Sequence, residues 1–223
     1  PSQAEMQKLL NHYQNGRYGD AEKLAISITE QFPEHQFGWK ALGAVLKQTN
    51  RISETLVSSQ KAVEITPQDA EAHNNLGITL KELGRLEESE ASLRQAIALK
   101  PNYAEAYSNL GITLQELGRL EDAEASLKQA ITLKPDYVEA HSNLGTTLNE
   151  LGRLEESEAS YRQAISLEPH YAEAHNNLGI TLKALDRLEE SEASLRQAIT
   201  LKPHYAEAHS NLGSTLQETG RLE

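Results

Sequence analysis

The chain has no cysteine, one tryptophan, one methionine and two phenylalanines among its 223 residues. Without cysteine there is no disulfide scaffold, no thiolate zinc site and no cysteine nucleophile. Hydrophobic residues make up only 38% of the chain, against the ~45–50% usual for globular domains. Such a chain is either disordered or built on a thin, distributed core. No apolar run approaches the ~20 residues of a membrane span. Positive charge is also scarce: 21 Lys and Arg face 33 Asp and Glu, a formal net charge of −12. That balance repels phosphate backbones and anionic lipid, which argues against nucleic-acid and membrane partners. No glycine-rich phosphate loop, serine elbow or metal-ligand motif occurs. The chain therefore reads as non-enzymatic, without cofactor or metal, and as cytoplasmic.

What is present is a period. Pro33, Pro67, Pro101, Pro135, Pro169 and Pro203 are spaced by 34 residues. Gly43, Gly77, Gly111, Gly145, Gly179 and Gly213 form a second grid with the same spacing. A fixed period of this size signals a repeat architecture and overrides the one or two globular domains that length suggests. It also selects the distributed core over disorder. The copies are 2–35, 36–69, 70–103, 104–137, 138–171 and 172–205, with a partial copy at 206–223, all in one array. Positions within a copy are numbered 1 to 34 below.

Each copy reads as two helices. The spacings Asp136/Glu139 and Asn102/Glu105 suggest a capping box at the first. Position 15 holds Gly16, Asn50, Gly84, Gly118, Gly152, Asp186 and Gly220, residue types that tolerate the left-handed conformation of a helix C-terminus. The second helix spans about positions 18 to 30, opens on acidic residues such as Glu87 and Glu88, and ends at the proline of position 32. Glu90/Arg94, Glu124/Lys128, Glu158/Arg162 and Glu192/Arg196 are i,i+4 pairs on it.

The pattern resembles the tetratricopeptide repeat, carried by Trp39, Leu42, Gly43, Ala62 and Pro67 in one copy and Leu76, Gly77, Leu80, Ala96 and Pro101 in the next. The resemblance covers the whole chain. Its departures are Ser89, Ser157 and Ser191 where alanine is usual, and His73, His141, His175 and His209 in place of an aromatic. It implies an all-α, right-handed superhelical solenoid of helix–turn–helix units, six full and one half, with the first helices lining a concave groove.

At about 100° per residue, positions 3, 4, 7, 8, 10, 11 and 14 of the first helix form its packing face. Positions 2, 5, 6, 9, 12 and 13 form the open one. Position 6 of that face is Asn75, Asn109, Asn143, Asn177 and Asn211. A side-chain amide both donates to and accepts from a peptide bond, so a row of five could hold an extended backbone. The row resembles the asparagine ladder of O-linked N-acetylglucosamine transferases. The competing reading is that asparagine was copied by duplication and faces water. Asn74, Asn176, Lys81, Lys183, Gln115 and Asn149 complete the candidate groove. Its carboxylates outnumber the bases Lys81 and Lys183, which favours a neutral or basic extended peptide over a C-terminal carboxylate.

Two histidine pairs, His170/His175 and His204/His209, have spacing i,i+5 rather than the i,i+4 usual for helical zinc ligands; packing is the better reading. Tyr103, Tyr137, Tyr171 and Tyr205 read as wedges between helices. The chain opens without Met and stops within a copy, so it reads as a piece of a longer protein. Leu212 and Leu216 are then expected to be exposed, giving end-to-end self-association. Three functions stay open: a protein-binding module, the targeting arm of a glycosyltransferase or sulfotransferase as in some bacterial proteins, and a self-assembling scaffold.

Overall fold

A computed structural model describes residues 1–220; the last three residues of the partial copy 206–223 lie outside the described residues. Thirteen α-helices and no strand occur among the described residues. They group into two compact units, 1–113 and 114–223. The first unit contains α1 (Gln3–Gln14), α2 (Tyr18–Gln31), α3 (Gln36–Gln48), α4 (Ile52–Ile65), α5 (Ala70–Glu82) and α6 (Leu86–Leu99). α7 (Ala104–Glu116) begins there and ends in the second. The second continues with α8 (Leu120–Leu133), α9 (Val138–Glu150), α10 (Leu154–Leu167), α11 (Ala172–Ala184), α12 (Leu188–Leu201) and α13 (Ala206–Glu218). Odd-numbered helices are the first helices of the copies and even-numbered ones the second.

The helix ends follow from the punctuation of the period. Position 15 takes positive φ in every copy, from 57° at Asn50 and 59° at Asp186 to 73° at Gly152. At the end of α5, Gly84 N–H donates to Lys81 O (2.8 Å) and Arg85 N–H to Leu80 O (2.9 Å). This crossed pair closes orphan carbonyls of the helix. The capping-box expectation at Asp136/Glu139 is not met. The N-cap of α9 is Tyr137, without a side-chain bond. A capping box does form at Ser2–Glu5. Asp69 caps α5 through Glu71 N and Ala72 N.

The core is a succession of small clusters. Leu9, Ala25, Ile28, Leu42 and Leu46 form one in the first unit. Leu127, Leu144 and Leu148 form one in the second, and Tyr161, Leu178 and Leu182 another. In the third, fifth and sixth copies position 8 of the first helix presses against position 24 of the second. A Cβ built on Gly77 would lie 2.6 Å from Leu93 Cγ, on Gly145 2.7 Å from Tyr161 Cε1, and on Gly179 2.6 Å from Leu195 Cγ. Only a residue without a side chain fits there.

The serines that replace alanine at position 20 are buried and bonded. Ser89, Ser157 and Ser191 donate to Gly77 O, Gly145 O and Gly179 O at 2.8, 2.7 and 2.8 Å. Each also approaches a buried threonine of the next copy: Thr113, Thr181 and Thr215 at 3.2, 3.4 and 3.2 Å. A small hydroxyl at this position thus links three helices where alanine would only fill space. The histidines of position 4 have an equally local role. Nε2 of His73, His141, His175 and His209 lies 2.9–3.1 Å from the carbonyl of Pro67, Pro135, Pro169 and Pro203. Trp39 donates its indole N–H to Pro33 O at 2.8 Å in the same way. Histidine keeps the N–H of tryptophan and ties the first helix to the preceding turn. Three of the four tyrosines, Tyr103, Tyr137 and Tyr205, lie under Lys100, Lys134 and Lys202 at 4.3, 4.6 and 4.7 Å.

Candidate functional site

The residues read as an open face divide into three groups. Position 6 is accessible: Asn75 is exposed, and Asn109, Asn143, Asn177 and Asn211 are half-buried. Position 5 is not. Asn74 is 5% accessible and Asn176 0%, which removes both from the open face. The reason is the next first helix, whose side chains reach over them. Asn109 Nδ2 donates to Asn74 Oδ1 at 2.9 Å, and Asn211 Nδ2 to Asn176 Oδ1 at 3.0 Å. Asn176 Nδ2 donates in turn to Glu207 Oε1 (3.3 Å) and Asn177 Oδ1 (3.1 Å). A buried amide stays only if it is bonded, and these are. Two members of the row are therefore not mere duplicates facing water: Asn109 and Asn211 staple one copy to the one before it.

Position 12 makes a second set of cross-links. Lys47 pairs with Glu82 (3.1 Å), Gln115 donates to Glu150 Oε1 (2.6 Å), and Lys183 pairs with Glu218 (2.8 Å). In each case the partner is position 13 of the following copy. Asn149 faces Ala184 at that position, so its amide turns to Thr181 Oγ1 at 2.9 Å instead. Lys81 is likewise partnered. The bases counted as ligand contacts are thus engaged within the fold.

The acidity of the face is also tempered. Lys202 Nζ lies 2.9 Å from Glu173 and holds its carboxyl below the usual range. Lys40 bridges Asp69 and Glu71. Burial works against the Lys40 charge, but the two carboxylates outweigh it and push its pKa up. Sequence reasoning missed a further set, the arginines of position 16. Arg51, Arg153 and Arg187 each fork onto a carboxylate three residues on, Glu54, Glu156 and Glu190. Their third nitrogen reaches Glu22, Glu124 and Glu158 of the preceding copy at 2.5, 2.6 and 2.5 Å. The recurrence of arginine at this position was a readable signal.

Hollows remain between these links. In the second unit Thr146, Asn149, Glu150, Tyr161, Asn177 and Ile180 surround one of about 180 Å³. The Tyr161 hydroxyl lies 2.9 Å from Thr146 Oγ1, and burial raises its pKa to about 12. In the first unit Asn75 borders two adjoining hollows, of about 150 and 480 Å³. Among the described residues no group of three or more His, Asp or Glu could hold a metal ion. No helix among them is long and apolar enough to cross a membrane. Leu212 and Leu216 of α13 are half-buried rather than exposed.

Models of the tetratricopeptide repeat match residues 68–136, 114–160 and 172–205, and one described as TPR repeat matches 145–186. Together they run from 68 to 205. Among solved structures, the type IV pilus biogenesis factor PilW is similar, with 23% identity and a TM-score of 0.86 over 95% of this chain and 100% of that one. The Cut9–Hcn1 hetero-tetramer of APC/C gives 14% identity and a TM-score of 0.84 over 95% of this chain. This chain spans only 42% of the one matched there. YrrB, a TPR protein with an unusual peptide-binding site, gives 22% identity and a TM-score of 0.62 over 83% of this chain and 96% of that one. No curated protein sequence matches.

Proposed function

The chain belongs to the tetratricopeptide repeat family, and from that premise we propose that it is a protein-binding module. Each unit takes an extended peptide segment against the open face of its first helices. The observation that carries this reading is the placement of Asn75 and Asn177 at the rims of hollows on that face. An amide there offers a donor and an acceptor to a passing peptide bond, while the hollow takes a side chain. Part of the acidity of the face is already paired within the fold, Glu71 with Lys40, Glu82 with Lys47 and Glu173 with Lys202. The net charge of −12 draws cationic segments by long-range attraction and leaves neutral ones unopposed, while it repels acidic ones. YrrB, named for a peptide-binding site, supports the reading by its fold.

The test uses peptides selected on the chain from a random library. Asn75→Ala and Asn143→Ala are the informative variants, because the side chains of these two residues make none of the inter-copy bonds described above. Asn109→Ala or Asn211→Ala would strand the amide oxygen of Asn74 or Asn176. Binding weakened about tenfold by either variant, the loss of one or two hydrogen bonds, supports the ladder. Selected peptides that bind both variants as tightly as the parent chain overturn it.

A further inference from the structure

In the copies whose glycine contacts are described above, one member of the pair at positions 8 and 24 is large. The chain shows two solutions: Leu9 with Ala25 in the first copy, and glycine with Leu93, Tyr161 or Leu195 in later ones. Leu9 is 1% accessible and Leu93 0%, so each fills its space. The second copy has neither. It pairs Gly43 with Ser59, small with small. A Cβ on Gly43 would find no atom nearer than Ser58 Cβ at 3.5 Å. The unfilled space is the 150 Å³ hollow of the first unit, with Gly43, Thr55, Ser59 and Ala62 among its buried lining. It opens outward between Ala44, Lys47 and Asn75, all exposed. Trp39 and Tyr13 form aromatic walls. Both rings are held: Trp39 by its bond to Pro33 O (2.8 Å), Tyr13 by an edge-on contact with Tyr18 at 5.7 Å.

We infer that this hollow is a pocket for one aromatic side chain, tyrosine in type, of the peptide bound on the first unit. Three observations set that chemistry. A cavity of about 150 Å³ is the size that holds one benzene ring. Aromatic walls favour an aromatic guest through edge-to-face and offset packing. The buried end is polar: Ser59 Oγ and Thr79 Oγ1 stand 3.5 Å apart, a loose contact that leaves the serine oxygen able to accept from a phenol O–H. The chain itself shows that a tyrosine ring fits the same place. In the fifth copy Tyr161 occupies position 24, almost fully buried, with its hydroxyl bonded to Thr146. In the second copy the ring is to come from the partner. Asn75, at the mouth, is then beside the partner's backbone. This inference rests on the peptide-binding reading above.

The test is titration of the 223-residue chain with p-cresol and with N-acetyltyrosinamide. Emission of Trp39, the chain's one tryptophan, and amide NMR shifts are the readouts. Both probes are expected to saturate, with the largest shifts in α3, α4 and α5. Ser59→Leu restores the side chain of the third and sixth copies, so it keeps the fold. It is expected to weaken both probes at least tenfold and to raise the melting temperature. Absence of saturable p-cresol binding, or equal affinity in Ser59→Leu, overturns the pocket and leaves the ladder reading standing. Asn75→Ala separates the two: it is expected to weaken N-acetyltyrosinamide more than p-cresol. Equal effects on both probes overturn the placement of the partner's backbone beside Asn75, while p-cresol binding lost in Ser59→Leu upholds the pocket.

Discussion

Two glycines at the same repeat position are expected to respond oppositely to alanine. Gly43 and Gly77 each sit inside a first helix, where glycine costs about 1 kcal/mol relative to alanine. At Gly43 the new methyl lies 3.5 Å from Ser58 Cβ and 3.9 Å from Ser59 Oγ, ordinary contacts. Gly43→Ala therefore keeps the whole propensity gain, about 1 kcal/mol of added stability. At Gly77 the methyl lies 2.6 Å from Leu93 Cγ and 2.8 Å from its Cδ2. Cγ is the branch point of a fully buried side chain and cannot swing away into solvent. Overpacking of this kind costs about 1–3 kcal/mol, so Gly77→Ala nets between about zero and 2 kcal/mol of destabilisation. The two variants should differ by about 1–3 kcal/mol, or roughly 2–12 °C in melting temperature for a chain of this length. Solenoids open copy by copy, so amide exchange in α4 and α6 should accompany the melt and assign the change to the right copy. A double-mutant cycle with Leu93→Ala should show a coupling of about 1 kcal/mol or more for Gly77→Ala. Equal melting temperatures for the two glycine variants, or no coupling to Leu93, would refute the packing argument.

Backbone conformation and charge give two further expectations. Gly152 has φ of 73° and nothing within 4 Å of a built Cβ, so Gly152→Ala should cost about 1–2 kcal/mol through the left-handed backbone alone. Asp186, at φ 59°, already bears that strain, and Asp186→Gly should stabilise, by a few tenths to about 1 kcal/mol; thermal melts of the pair check both signs. Acid should destabilise the chain. The Glu124 carboxyl is held low by Lys128, against the effect of burial, with Arg153 adding to it. For Glu158 burial raises the pKa, but Arg162 and Arg187 outweigh it. A carboxylate depressed in the folded state stabilises above its unfolded pKa of about 4.3, and that stabilisation is lost as pH falls through the folded value. Urea midpoints should thus fall between about pH 5 and pH 3, less steeply in Glu158→Gln; an unchanged midpoint across that window counts against the ion-pair ladder.

Much of the fold was legible because duplication repeats each structural instruction. The left-handed stop at position 15 could be read even where Asn50 and Asp186 replace glycine, since few residue types accept positive φ. The i,i+4 pairs Glu90/Arg94 and Glu192/Arg196 form as spaced, both at 2.9 Å. What resisted reading was contact between copies. A helical wheel sorts residues around one axis and knows nothing of the next helix. Asn74 and Asn176 fell on the polar side of that wheel, yet lie under the following first helix. Lys183 looked like a free cation in a groove because its partner, Glu218, is 35 residues away in sequence and 2.8 Å away in space. Polar residues in a repeat protein are therefore ambiguous from sequence: the same amide serves a ligand or the neighbouring copy.

The pocket of the second copy shows how that ambiguity can be resolved. Gly43 and Ser59 are each unremarkable alone; glycine recurs at position 8, and serine is a common residue. Their joint smallness has meaning only once positions 8 and 24 are known to touch. A closed, dry void of about 150 Å³ would cost about 3.6 kcal/mol at ~24 cal/mol per Å³, a large fraction of a domain's net stability; opening to water between Ala44, Lys47 and Asn75 spares this hollow part of that cost. The first copy avoids the void by moving the bulk from one helix to the other, as Leu9 and Ala25. The second copy has both precedents beside it and follows neither. The hydroxyls of Thr55, Ser59 and Thr79 lower the cost by making the space fit for a polar-tipped guest rather than an empty one. The same column comparison applies to any duplicated array: where the residues that fill one shared space are all small in a single copy, that copy is where a partner's side chain should be sought.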